Sequence, residues 1–181
     1  MNIWLIVLIE GLVVTLVGSL LHFTYAWSGR NKFVAIFSAV NESTWEHIKL
    51  ALSGTFICML ADVWWLGSNP NYWLARSLSF VVPVIVIPVL FYGYHRIWKV
   101  KKSVLPVDIA IFVVAAFCGA GVFGLVLEAP AVGAVSGFIS MIISTMILSA
   151  YLLLTKFPLH NFLFEDPITH KYGYEGHNKK I

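Results

Sequence analysis

Five apolar runs in this chain are each long enough to cross a bilayer: Ile3 to Leu21, Ile48 to Leu66, Ser77 to Tyr94, Asp108 to Leu127 and Ala131 to Leu154. A membrane helix needs about 20 such residues. The stretches between them are rich in Asn, Gly, Pro or charge, whose backbone could not stay unpaired in lipid. Bulk composition agrees. With 59% hydrophobic and 12% charged residues in 181, one soluble core could not hide the apolar surface. The mean hydropathy of +0.84 excludes a soluble enzyme, a nucleic-acid binder and a disordered chain. The expected fold is therefore all-α, a multi-pass bundle of five transmembrane helices. Residues 1–155 form one membrane domain, and 156–181 a cytoplasmic tail docked on the inner face.

An odd number of crossings puts the termini on opposite sides. Eleven of the twelve Lys and Arg residues (30, 32, 49, 96, 99, 101, 102, 156, 171, 179 and 180) share one side, and Arg76 lies on the other. The positive-inside rule makes the crowded side cytoplasmic, with the N-terminus out and the C-terminus in, as in a cell inner membrane. Two tryptophan belts fit: Trp4, Trp64, Trp65 and Trp73 at the outer ends, Trp27, Trp45 and Trp98 at the inner ends. The first run lacks a basic leader and reads as a retained helix. Pro83 and Pro88 predict a bend in the third helix. Cys58 and Cys118 read as small buried hydrophobes.

The same parity gathers polar residues at the cytoplasmic end. All six histidines (22, 47, 95, 160, 170 and 177) fall there, as do Glu42, Glu46, Asp108 and Asp166. His22, His47 and His95 are the expected metal ligands, because zinc takes imidazole nitrogen and carboxylate oxygen and can activate water at an open position. Glu46, His47 and Asp108 are the expected catalytic groups, with Glu42 and Asp166 nearby. Against this, Ser43-x-x-Glu46 is a capping box, Glu46 can pair with Lys49 three residues on, and Asp108 suits a helix N-terminus. The spacing also lacks a strong metal motif such as HExxH.

Glu10 and Asp62 lie within the membrane runs, where charge is costly. They read either as a proton- or cation-coupling pair or as a structural pair with Arg76. Gly133, Gly137, Ser140 and Ser144 form a small-residue stripe on helix five, suited to close packing within a protomer or in a homo-oligomer, with Gly119, Gly121 and Gly124 of helix four opposite. Residues 31–40 are too short to span and read as a re-entrant or interfacial turn. The tail, through Phe162, Leu163 and Phe164, is expected to dock and to cover the histidine cluster.

Three segments carry a resemblance: His22-Phe23-x-Tyr25-x-Trp27-Ser28-Gly29, Asn41-Glu42-Ser43-x-Trp45-Glu46-His47-x-Lys49-Leu50 and Asp166-Pro167-Ile168-Thr169-x-x-Tyr172-Gly173. Together they resemble a group of small prokaryotic membrane proteins of unknown function. The resemblance implies a multi-helix inner-membrane protein and brings no reaction or cofactor. Members of that group often carry Gly where this chain has His170, which argues against His170 as a ligand.

Two functions follow as expectations. One is a membrane-embedded hydrolase of a lipid-linked substrate, with or without a divalent metal such as zinc. The other is a small proton-coupled transporter or accessory subunit using Glu10 and Asp62. The expected partners are the bilayer and a lipid-like small molecule, with no nucleic acid.

Overall fold

A computed structural model describes residues 2–99 and 103–176. It is all-helical: α1 (Ile3–Trp27), α2 (Thr44–Leu66), α3 (Tyr72–Ile97), α4 (Leu105–Glu128) and α5 (Ala134–Lys156), with short 3-10 turns at Val34–Ile36 and Gly173–Gly176. All five helices are long and apolar enough to span a membrane. Each reaches past its hydropathic run at one end or both, α1 by six residues to Trp27 and α3 from five residues earlier, at Tyr72. Hydropathy marks only the part of a helix that lipid can solvate. The interfacial turns carry polar residues that hide them from such a count.

Helices α1 to α4 close into a set in which α1 and α3 each pack on both α2 and α4, and α5 lies outside against α3. The outward faces are apolar, for example Leu8, Leu12 and Leu16 on α1 and Phe138, Ile142 and Met146 on α5. Lipid is the natural cover for such surface. Small residues set the internal spacing. A Cβ added at Gly54 would lie 2.9 Å from the Val14 Cα, so α1 and α2 touch backbone to backbone there. Gly54→Ala is expected to cost about 1–3 kcal/mol by overpacking. Gly121→Ala, which meets nothing within 4 Å, should be neutral or stabilising through helix propensity. Chemical or thermal unfolding in detergent reads the contrast, and equal stability of the two variants would remove the close-contact argument.

Several local expectations are corrected. The glycines of α4 do not face α5: a Cβ at Gly119 would sit 3.3 Å from the Ser79 carbonyl of α3, and one at Gly124 would meet Val7 of α1. Pro83 explains the first contact, because it lacks the N–H that would otherwise bond Ser79 four residues back. Pro83 and Pro88 both lie inside α3 and neither ends it, which leaves the expected bend as it stood. In the α5 stripe, Ser140 and Ser144 are buried within the protomer. Trp45 is a core residue and not a belt residue, stacked on Phe164 with ring centroids 4.7 Å apart. Two counted bases are also internal, since Lys49 and Arg76 are both 0% exposed. Lys101, Lys102, Lys179, Lys180 and His177 lie outside the described residues.

Residues 31–40 fold into the bundle. Their carbonyls turn toward α2, where Lys49 Nζ donates to Ala35 O at 2.9 Å and the Ser53 hydroxyl to Phe37 O at 3.1 Å. Ser38 Oγ donates to Leu21 O and accepts from the Tyr25 N–H, which ties the segment to α1. A backbone inside a membrane bundle must find partners in protein, and these side chains supply them.

Candidate metal centre at the α1–α2 end

Residues from three places meet where α1 ends and α2 begins. His22 stands on the last turns of α1, Glu42 in the loop before α2, and His47 on the first turn of α2. The His22 Nε2 lies 3.5 Å from Glu42 Oε2, and the His47 Nε2 lies 4.0 Å from the same oxygen. One donor atom from each residue falls within 4.8 Å of the other two. The imidazole rings stand 5.6 Å apart, tilted by 49°. All three side chains are half-buried. Zinc held at about 2.0–2.1 Å by tetrahedral donors spaces them by roughly 3.3 Å, so a small contraction brings this set to ligating distance.

The tautomer of His47 points the same way. Its Nδ1 lies 3.0 Å from the Ser43 carbonyl oxygen. A carbonyl can only accept, so Nδ1 carries a proton, and Nε2 is the ring atom turned toward Glu42. Metal-binding histidines are oriented in this manner by a second partner.

The Glu42 loop is held from behind by the chain after α5. The buried Asp166 carboxylate accepts the Glu42 N–H at 2.8 Å, Asn41 Nδ2 donates to Gly173 O at 2.9 Å, and the Trp45 N–H donates to Leu163 O at 2.8 Å. The expected capping box does not form. Ser43 occupies the N-cap position without a side-chain bond. Glu46 instead reaches past it, accepting the Val40 N–H at 2.9 Å and pairing with Lys49 at 2.6 Å. Glu46 is thus a buried brace for the 31–43 segment.

Beside the cluster a groove of about 190 Å³ runs between α1 and α4. His22 and Phe23 from α1, His47 from α2, and Asp108, Ile109 and Phe112 from α4 line it. Its polar lining is the two histidines, Asp108 and Ser19, and most of the remaining lining is hydrocarbon. Phe23, Leu105 and Ile109 are exposed on the apolar outer surface, so the groove opens sideways. Its closed side is the close approach of α1 and α4, where a Cβ at Gly18 would run into the Phe112 ring at 2.4 Å. Asp108 accepts from Tyr94 OH at 2.8 Å and from the Ser103 hydroxyl. Among the described residues the tail contributes none to the lining. It backs the site and does not cover it.

The other expected residues lie elsewhere. His95 packs on α3 against Phe91 and Tyr94, ring centroids 4.6 and 4.4 Å away, and is not in the ligand group, where Glu42 supplies the third donor. His160 stacks on Tyr172. His170 is exposed and contacts Glu165 at 2.7 Å. Its φ of 55° lies in the left-handed region, the conformation in which glycine is favoured. Glu10 and Asp62 meet around Arg76 within the α1–α3 packing. Arg76 donates to both Glu10 oxygens, at 3.1 and 2.5 Å, and to Asp62. Tyr72 OH donates to the other Asp62 oxygen at 2.7 Å, and the guanidinium lies 3.6 Å over the Phe123 ring.

No curated protein and no solved structure matches this chain. The matching family model spans residues 1–174, and the chain therefore belongs to DUF6512, a family of unknown function.

Proposed function

We propose that the protein is a membrane-embedded, metal-dependent hydrolase acting on an ester or phosphoester of a lipid-linked substrate. The observation that carries this reading is the placement of three donor atoms within 4.8 Å of one another, two of them on histidines that also line the apolar groove between α1 and α4. His22, Glu42 and His47 would hold a divalent metal such as zinc, which would supply a Lewis acid to activate water. The hydrocarbon chain of the substrate lies along Phe23, Ile109 and Phe112, and its head meets the metal. Asp108 would take one proton from the attacking water, whose oxygen then bonds to the acyl or phosphoryl centre. The bond to the leaving oxygen breaks, and that alkoxide takes the proton back. The net change is addition of one water across the ester.

The transport reading has weaker support, because the carboxylates it needs, Glu10 and Asp62, are already engaged by Arg76 and Tyr72. The positive-inside rule supports a cytoplasm-facing site in a cell membrane, since Arg30, Lys32, Arg96, Lys99, Lys156 and Lys171 stand at the same end.

Elemental mass spectrometry of the chelator-free, detergent-purified protein tests the centre. About one zinc or similar ion per chain is expected in the wild type and in His95→Ala, and near-complete loss in His22→Ala, His47→Ala and Glu42→Gln while the protein stays folded. In liposomes of phosphatidylethanolamine and phosphatidylglycerol, lipid cleavage should be abolished by a chelator and restored by zinc. A metal-free wild type overturns the centre. A metal-loaded protein that cleaves neither lipid overturns the hydrolase.

A further inference from the structure

We infer that the chain after α5 is a clamp that completes the metal centre, with Asp166 as the positioning residue for Glu42; the inference rests on the metal centre proposed above. His22 and His47 stand on the helices α1 and α2. Glu42 does not: it sits in the loop ahead of α2, and its backbone position is set from 124 residues away.

The two oxygens of Asp166, which is 0% exposed, have separate tasks. Oδ1 accepts from the Ile168 N–H at 2.9 Å, the Thr169 N–H at 2.6 Å and the Thr169 hydroxyl at 3.0 Å, which closes the turn inside the tail. Oδ2 accepts the Glu42 N–H and so joins the tail to the ligand loop. Asn41 is a second clasp. Its Nδ2 donates to Gly173 O, while its Oδ1 accepts the Ser43 N–H at 2.9 Å. Behind them Phe164 stacks on Trp45, and Tyr92 of α3 donates to Phe162 O at 3.0 Å. The tail is anchored on α2 and α3 and delivers one hydrogen bond to the peptide that carries the only carboxylate of the ligand group.

This division of labour gives a selective variant. In Asp166→Asn the single amide oxygen is claimed by the three donors at the Oδ1 side. The NH₂ then faces the Glu42 N–H, donor against donor, so the turn survives and the joint opens. In Asn41→Asp a carboxylate oxygen faces the Gly173 carbonyl, acceptor against acceptor, while the bond from Ser43 remains. The second variant opens the same joint from the other side and guards against misfolding of the first.

Zinc affinity is measured on the full-length protein in detergent by competition with a chromophoric chelator, and the ligand set is read from the visible absorption of the cobalt-substituted form. Asp166→Asn should weaken zinc about 10–100-fold, the range for losing a group that orients a ligand. Its cobalt spectrum should shift toward that of Glu42→Gln. Asn41→Asp should move both readouts in the same direction, and Glu165→Gln, at the exposed edge of the tail, neither. A tail with a purely structural role lowers the folded yield but leaves wild-type affinity and spectrum in the molecules that fold; that result overturns the clamp. A wild type that takes up neither zinc nor cobalt overturns the metal centre, and with it the clamp. Wild-type binding with an unchanged Asp166→Asn overturns the clamp alone.

Discussion

Replacing Arg76 with leucine is expected to lower the stability of the bundle by about 3–5 kcal/mol, the range for removing one partner of a buried ion pair. The guanidinium is 0% exposed and is the counter-charge for both Glu10 and Asp62, each 5% exposed. Without it two buried carboxylates remain among α1, α2 and α3, with the Tyr72 hydroxyl donating to Asp62. The loss of the contact with Phe123 adds to the cost. Arg76→Lys should recover only part, because one ammonium cannot reproduce a planar fork that spans two acids. The triple variant Arg76→Leu, Glu10→Gln, Asp62→Asn should lie much closer to wild type than Arg76→Leu alone, since replacing every charge removes the desolvation penalty with the attraction. Unfolding of the purified protein by SDS in mixed micelles, followed by tryptophan fluorescence, measures all three. If Arg76→Leu lies within about 1 kcal/mol of wild type, or the triple variant is no better, the cluster is not the stabilising device described.

A comparable loss, about 3 kcal/mol, is expected for Lys49→Met. Its ammonium pairs with Glu46 and also satisfies the Ala35 carbonyl, both inside the protein. Removing it strands an acid and a backbone acceptor at once. The damage should be local as well as global. Glu46 is the brace that holds the Val40 N–H, so the 31–43 segment should loosen while the helices persist. Hydrogen–deuterium exchange should then rise in that segment ahead of α3 and α4. Lys49→Met combined with Glu46→Gln should recover most of the stability, because the neutral amide can still accept from Val40. Unchanged exchange across 31–43 in Lys49→Met would contradict the bracing role of the pair.

Both predictions concern pairings foreseen on local grounds. Glu46 and Lys49 are three residues apart on one helix, and Arg76 is the only base on its side of the chain. The ligand group is different. All three of its residues stand among those placed at one end by counting helices, yet the expected histidine trio contained His95 in place of Glu42. Counting crossings assigns a residue to an end of the bundle and says nothing of its azimuth. His95 points among the rings of Phe91 and Tyr94, and no periodicity along α3 marks that choice. Glu42 carried one legible signal, its position immediately ahead of the His47 helix turn. A loop carboxylate ahead of a helix is usually solvated, and the bond that fixes this one comes from Asp166 at the other end of the chain.

Glu46 shows the complementary failure. A capping box is a local motif, and local geometry alone would let Ser43 and Glu46 cap each other. The tertiary structure offers Glu46 a buried ammonium and an inward-turned peptide at Val40 instead. A charge-assisted bond inside a bundle outweighs a cap bond exposed to water.

The five membrane helices and their boundaries to within about two turns follow from composition along the chain, because transfer of apolar groups into lipid adds residue by residue and needs no knowledge of neighbours. The meeting of His22, Glu42 and His47, the groove beside them and the burial of Arg76 and Lys49 were settled only by tertiary packing. They depend on helix rotations fixed by close contacts such as Gly54 on Val14 and Gly18 on Phe112, and on a tail that returns to the first loop. Those are pairwise terms between residues far apart in sequence, and no sum over single residues contains them.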